Sequence, residues 1–189
     1  MDPTTHVASR ADEVLAEWPK DSRAVARSAI DQYGEPDEVT ESRLIWLRRG
    51  KWKEIIAYRE MWHHEFPFPH NDCLECTTTY RVPLDKVRQL AEFDGSVTVE
   101  RTRGHLSATC HDEQANCLAL NLAHDIAAGS RTVDEAREAY VQNMVDFRAG
   151  KSTPYMEDLQ FEPEHDAPDP DEAVTSAHEL RQRAEHSPI

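Results

Sequence analysis

Residues 42–60, SRLIWLRRGKWKEIIAYRE, place two β-rich runs on either side of Arg49-Gly50. Bulky and branched side chains favour extended backbone, and a glycine between two such runs marks a tight reversal, so the stretch reads as a β-hairpin. Side chains alternate across a strand, which puts Leu44 and Trp46 on one face and Ile45 and Leu47 on the other. Both faces are apolar, so the hairpin is expected to be covered on both sides for part of its length.

Two further stretches keep the same period of two. In LECTTTYRV, residues Leu74, Cys76, Thr78, Tyr80 and Val82 alternate with a more polar set, and Pro83 ends the strand. SVTVERTRGHLSATC reads as a second hairpin that turns at Thr102-Arg103-Gly104. Helices are expected between these strands. DSRAVARSAIDQY has Asp21 as its cap and Gly34 as its exit. LDKVRQLAEF turns Leu84, Val87, Leu90 and Ala91 inward. HDEQANCLALNLAHDIAAG carries an apolar face and closes on Gly129, and the capping box Thr132-Val133-Asp134-Glu135 opens a helix running to about Arg148. Strands joined mostly by short turns, with helices between, predict an α+β fold: an antiparallel sheet of about five strands with helices packed mainly on one face.

The 189 residues suit one domain with loose ends. Residues 1–19 are expected to be a flexible N-terminus and residues 20–150 the domain. Residues 151–189 hold ten Asp or Glu against three Lys or Arg, a net of −7, with several prolines. They read as an acidic, largely disordered tail with one short helix in DPDEAVTSAHELRQRA, Pro170 at its first position. The formal net charge of the whole chain is −15, which argues against nucleic-acid binding and against an anionic membrane surface. The segment MDPTTHVASRADEV has no apolar core of the kind a signal peptide carries, so the expected location is cytoplasmic and the four cysteines are expected to be reduced.

The chemistry concentrates in residues 63–76, HHEFPFPHNDCLEC. His64, His70 and Asp72 together form two imidazoles and a carboxylate, a set that can bind Zn, Fe(II) or Mn while leaving room for water. His70 and Asp72 share a face if residues 70–72 are extended. Cys73 and Cys76 would complete a closed zinc site, but three positions apart on a strand they point to opposite faces. His124 lies with Cys117 and Asn121 along one helical face that can reach the loop, and Glu65 or His124 is a candidate acid or base. Against these stands a plain packing role, in which Phe66 and Phe68 fill space, Pro67 and Pro69 stiffen the loop, and the histidines bond to backbone carbonyls. Cys110-His111, at a strand-to-helix junction, and Arg101 and Arg103 beside Glu100, at a hairpin tip, are lesser candidates.

The run H-x-F-P-x-P-H-x-D, here His64, Phe66, Pro67, Pro69, His70 and Asp72, resembles one shared by a family of bacterial hypothetical proteins. In them the sequence continues much as DGSVTVERTRGHLSA and LNLAHDIAAG do here. The resemblance spans residues 30–145 and implies one coherent domain, with no activity attached.

No phosphate-binding loop, nucleophile elbow, HExxH or dinucleotide fingerprint occurs. The first expectation is therefore a binding or interaction module for a protein or small-molecule partner, built around Trp46, Trp52 and Trp62. The alternatives are a metal-dependent enzyme using His64, His70 and Asp72, and a thiol-based redox or sensing protein using Cys73, Cys76 or Cys110.

Overall fold

The computed structural model describes residues 9–186. One six-stranded antiparallel sheet organises them, in the order β1-β2-β3-β4-β6-β5. Its strands are β1 (Glu38–Val39), β2 (Arg43–Arg49), β3 (Trp52–His64), β4 (His70–Thr79), β5 (Val97–Glu100) and β6 (His105–Cys110). The expected α+β architecture is what forms, with six strands instead of five. The sixth is β1, two residues that lie shortly after Pro36 and pair with Leu44 and Ile45; a strand this short has no readable period.

Register builds the core. Leu44, Ala57, Leu74 and Cys110 lie in one row across the sheet, and Trp46, Ile55, Cys76, Ala108 and Val97 in the next. All are buried. Helices α2 (Lys20–Tyr33) and α4 (Glu113–Ala128) cover this face, with α3 (Val87–Phe93) and α5 (Val133–Arg148) beside α4. Asp112 caps α4, its carboxylate accepting from Ala115 N at 2.8 Å, and Gly129 closes the helix at φ 77°. The Thr132–Glu135 capping box forms at the start of α5 as expected.

The opposite face, with Ile45, Leu47, Glu54, Ile56, Tyr58 and Glu75, has no helix over it among the described residues. Cover on both sides of the first hairpin is therefore not observed; Ile56 is shielded by its strand neighbours, while Leu47 is exposed. Two tryptophans proposed as a partner-facing surface, Trp46 and Trp52, are buried, the first donating from Nε1 to the Gly34 carbonyl at 2.8 Å. Smaller corrections concern helix ends. Asp21 caps nothing, because α2 already begins at Lys20 after Pro19. Leu84 points outward from a short 3₁₀ turn, Leu84–Lys86, that precedes α3.

Residues 10–18 and 153–167 are packed where looseness was expected. The flexible N-terminus expected over residues 1–19 falls partly outside the described residues, but residues 10–18 contain α1 (Arg10–Ala16), opened by a Ser9–Asp12 capping box. Ala11, Leu15 and Trp18 are buried in the core, and Trp18 Nε1 donates to the Glu41 carbonyl at 2.9 Å. After Gly150 the chain forms a strap instead of a disordered tail. It contains α6 (Pro154–Glu157), and Met156, Leu159, Phe161 and Ala167 are buried.

Asn121 on α4 holds that strap, donating to the Tyr155 and Asp158 carbonyls and accepting from Gln160 N. Further along, Ala167 sits against Gly104 so closely that any Cβ there would lie 2.2 Å from the alanine methyl. Beyond the strap, α7 (Ala177–Glu185) is exposed and starts at Ser176, later than the Pro170 start expected. Among the described residues no helix is long and apolar enough to cross a membrane.

The packing of α1 makes a quantitative claim. Leu15→Ala removes a fully buried side chain and is expected to cost about 2–5 kcal/mol in urea unfolding. A change near zero would mean that residues 10–18 lie free of the core.

Candidate metal centre

The end of the β3–β4 hairpin brings the three candidate ligands together. Ala57 pairs with Leu74, but the next pair is Trp62 with Asp72, so Tyr58 to Met61 stand opposite Cys73 alone. A bulge of this kind bends the strand and re-aims the side chains beyond it. There, His63 pairs with Asn71 and His64 with His70. Directly opposed residues of an antiparallel pair share a face, and so do residues two apart on one strand. His64, His70 and Asp72 therefore converge.

The connecting loop is fastened from outside. Phe66 packs edge-on against Tyr140 at 5.1 Å and Phe93 at 6.0 Å, with the Arg137 guanidinium 4.1 Å above its ring. The Arg148 guanidinium lies 5.0 Å from the Phe68 ring centre. The packing role expected for the two phenylalanines thus holds alongside the ligand geometry.

Each of the three residues presents one donor atom within 4.8 Å of the other two, a group that can hold a metal ion. His64 Nδ1 is 2.9 Å from Asp72 Oδ2, and His70 Nε2 is 3.0 Å from Asp72 Oδ1. The other ring nitrogens are engaged behind them. His70 Nδ1 donates to the Phe68 carbonyl at 2.6 Å, and His64 Nε2 lies 3.5 Å from Oδ1 of the buried Asp94. Backing a ligand imidazole with a carbonyl or a carboxylate fixes its tautomer and raises its basicity.

Asp72 is only 3% exposed, and its Oδ1 has no hydrogen-bond partner despite the 3.0 Å approach of His70 Nε2. Two ligands of one ion stand close without bonding to each other in this way, with the ion about 2.0–2.2 Å from each. Burial pushes the Asp72 carboxyl above its ordinary range, and the nearby His70 and His64 only partly offset this. His111 stands next to the group, its ring 5.2 Å from that of His70.

A cleft of about 340 Å³ reaches His64 and Asp72 from the uncovered face of the sheet, between the bulge and the Gly95-Ser96 turn. Tyr58 and Trp62, edge to face at 5.0 Å, form one wall, and Tyr58 donates to Glu75 Oε2 at 2.6 Å.

The remaining candidates lie elsewhere. Cys76 is in the core row, accepting from Asn116 Nδ2 at 3.4 Å, and Cys73 is buried beside the bulge. Neither joins the three-residue group, since both are strand residues three apart, as anticipated. His124 is hydrogen-bonded to Tyr80 at 2.9 Å and stacked on Phe161 at 4.7 Å, where it anchors the strap. The Cys117–Asn121–His124 face thus meets the strap and not the loop. Glu65 is exposed and paired with His63. Arg103 and Arg101 at the hairpin tip are paired with Glu100 and Asp171.

Sequence reasoning missed Asp94, Tyr58 and Glu75. Asp94 arrives from the α3–β5 turn, and no linear spacing connects it with His64. An acidic residue beside glycine in DGS, at the exit of a helix, was the one signal present.

No protein-family model, curated protein or solved structure matches the chain. The functional reading therefore rests on this geometry.

The thiol reading makes a checkable contrast. Burial pushes Cys73 and Cys117 up to about 12, and Cys76 and Cys110 well above their ordinary value. Native alkylation with iodoacetamide at pH 8 is expected to label each of them roughly a thousandfold more slowly than a free thiol. One cysteine reacting at the free-thiol rate would restore a redox role.

Proposed function

We propose that this protein is a metal-dependent enzyme whose single divalent ion is held by His64, His70 and Asp72 and faces a small molecule in the adjoining cleft. The observation that carries the reading is the unpartnered, buried Asp72 Oδ1, 3.0 Å from His70 Nε2 with no hydrogen bond between them. Two imidazoles and one carboxylate, with no thiolate, suit Zn, Fe(II) or Mn and leave coordination positions for water and substrate. Such an ion polarises an oxygen or acidifies a bound water.

The chain supplies the rest. Asp94 and the Phe68 carbonyl orient the two imidazoles. Glu75, held by Tyr58, gives the cleft a carboxylate able to take a proton from a bound molecule. The H-x-F-P-x-P-H-x-D run would then be the linear trace of the site: two ligating histidines, the loop that holds them in register, and the carboxylate.

The test separates ligation from packing. In chelator at pH 7, Asp72→Asn is expected to leave stability unchanged or raised. The amide keeps an acceptor for His64 and can turn its N–H toward His70 Nε2, and a buried charge is removed. Zinc or manganese binding by calorimetry should be lost in the same variant. Asp94→Asn should bind about 10–100-fold more weakly, as expected for a group that orients a ligand. Unchanged metal affinity in Asp72→Asn, with a large loss of stability, would make the cluster a structural ion-pair network.

A further inference from the structure

We propose that the cleft takes a neutral, hydroxyl-rich small molecule, a monosaccharide or polyol; this rests on the metal reading above. The first charge argument concerns anions. No Lys or Arg lines the cleft, and two of its lining side chains are the carboxylates of Asp72 and Glu75. A phosphate or carboxylate entering there would meet no side-chain cation, and the Glu75 carboxylate offsets the single net charge that the metal reading leaves on the ion. Arg43, close by, is engaged over the Tyr58 ring at 5.4 Å, and His63 is paired with Glu65. Glu54, on the same face, has its carboxyl pushed up by burial and by the charge of Glu75, so the surroundings are already rich in negative groups.

The second argument concerns cations. A divalent ion with two neutral imidazoles and one carboxylate keeps a net charge of about +1 at the end of the cleft, which disfavours an organic cation beside it.

A molecule with hydroxyl edges and an apolar C–H face suits both constraints. Ser96, Thr98 and Thr109 offer hydroxyls that both donate and accept, and Glu75 offers an acceptor. Trp62 is 42% exposed, the one tryptophan of the described residues that is not buried, and it belongs to this wall. Its ring gives the C–H face of such a molecule an apolar platform, while the hydroxyls point to the polar side. The cleft volume, about 340 Å³, lies at the small end of ligand sites, in keeping with a single ring or a short chain.

The experiment uses the full chain after incubation with Zn(II), with metal content measured on each sample. Tryptophan fluorescence is titrated with xylose and sorbitol, and in parallel with acetate and tetramethylammonium. The expected result is saturable binding of at least one polyol with Kd on the order of 1 mM, and no saturation by either ion at the same concentrations. Trp62→Ala, read by calorimetry, should weaken polyol binding by about tenfold or more with metal content unchanged.

The inference is overturned if acetate or tetramethylammonium binds more tightly than both polyols. It is equally overturned if no polyol saturates, or if Trp62→Ala leaves polyol binding intact. Metal content separates the two readings: zinc bound without polyol saturation sinks the substrate class alone, and polyol saturation without bound zinc sinks the metal centre alone.

Discussion

The pairing of His64 with His70 at the loop end of the β3–β4 hairpin is the constraint on which the candidate site depends. Strand pairing is unforgiving in this respect. A slip of one residue would send His70 and Asp72 to the opposite face from the one they now share with His64. The register beyond the bulge is held from two sides. On one side the ladder runs unbroken from Ala57–Leu74 inward, under α2 and α4. On the other, Phe66 and Phe68 fasten the loop to α3 and α5 through aromatic and guanidinium contacts. The helices thus set the position of the donor atoms without contributing one.

Polar groups are buried in this molecule in two different ways. Asn121 is fully partnered: its amide closes on two strap carbonyls and its oxygen receives Gln160 N. That arrangement replaces water with protein hydrogen bonds and fixes the strap on α4. Asp72 is buried as deeply but is left with an oxygen lacking a donor, and its carboxyl is pushed up. An incompletely satisfied buried carboxylate costs stability and persists where another requirement outweighs that cost. A bound cation is the simplest such requirement, since it supplies the missing partner and favours the ionised form.

Much of the sheet was legible because its strands alternate. Arg49-Gly50 and the Thr102-Arg103-Gly104 turn marked hairpins, and the rows through Leu74 and Cys76 reflect the period of two. The ligand trio was legible for a related reason: once residues 70–72 are extended, His70 and Asp72 must share a face. The hidden features depend on tertiary packing. The bulge opposite Cys73 carries no glycine or proline to announce it. Asp94 comes from a turn remote in sequence from His64. The strap resembles a disordered tail because its acidity and prolines mask Met156, Leu159 and Phe161, which keep neither helical nor strand spacing yet are all buried. Likewise Leu15 belongs to a helix too short to show a stripe, and Trp18 to the turn just after it.

The central claim concerns three atoms and one ion, so the direct test is anomalous diffraction from crystals of the full chain grown with zinc or manganese. The account predicts one strong anomalous peak about 2.0–2.2 Å from His64 Nδ1, His70 Nε2 and a carboxylate oxygen of Asp72. Ordered metal elsewhere with none at this position, or none at all with His70 and Asp72 joined by a well-aligned hydrogen bond, would contradict it.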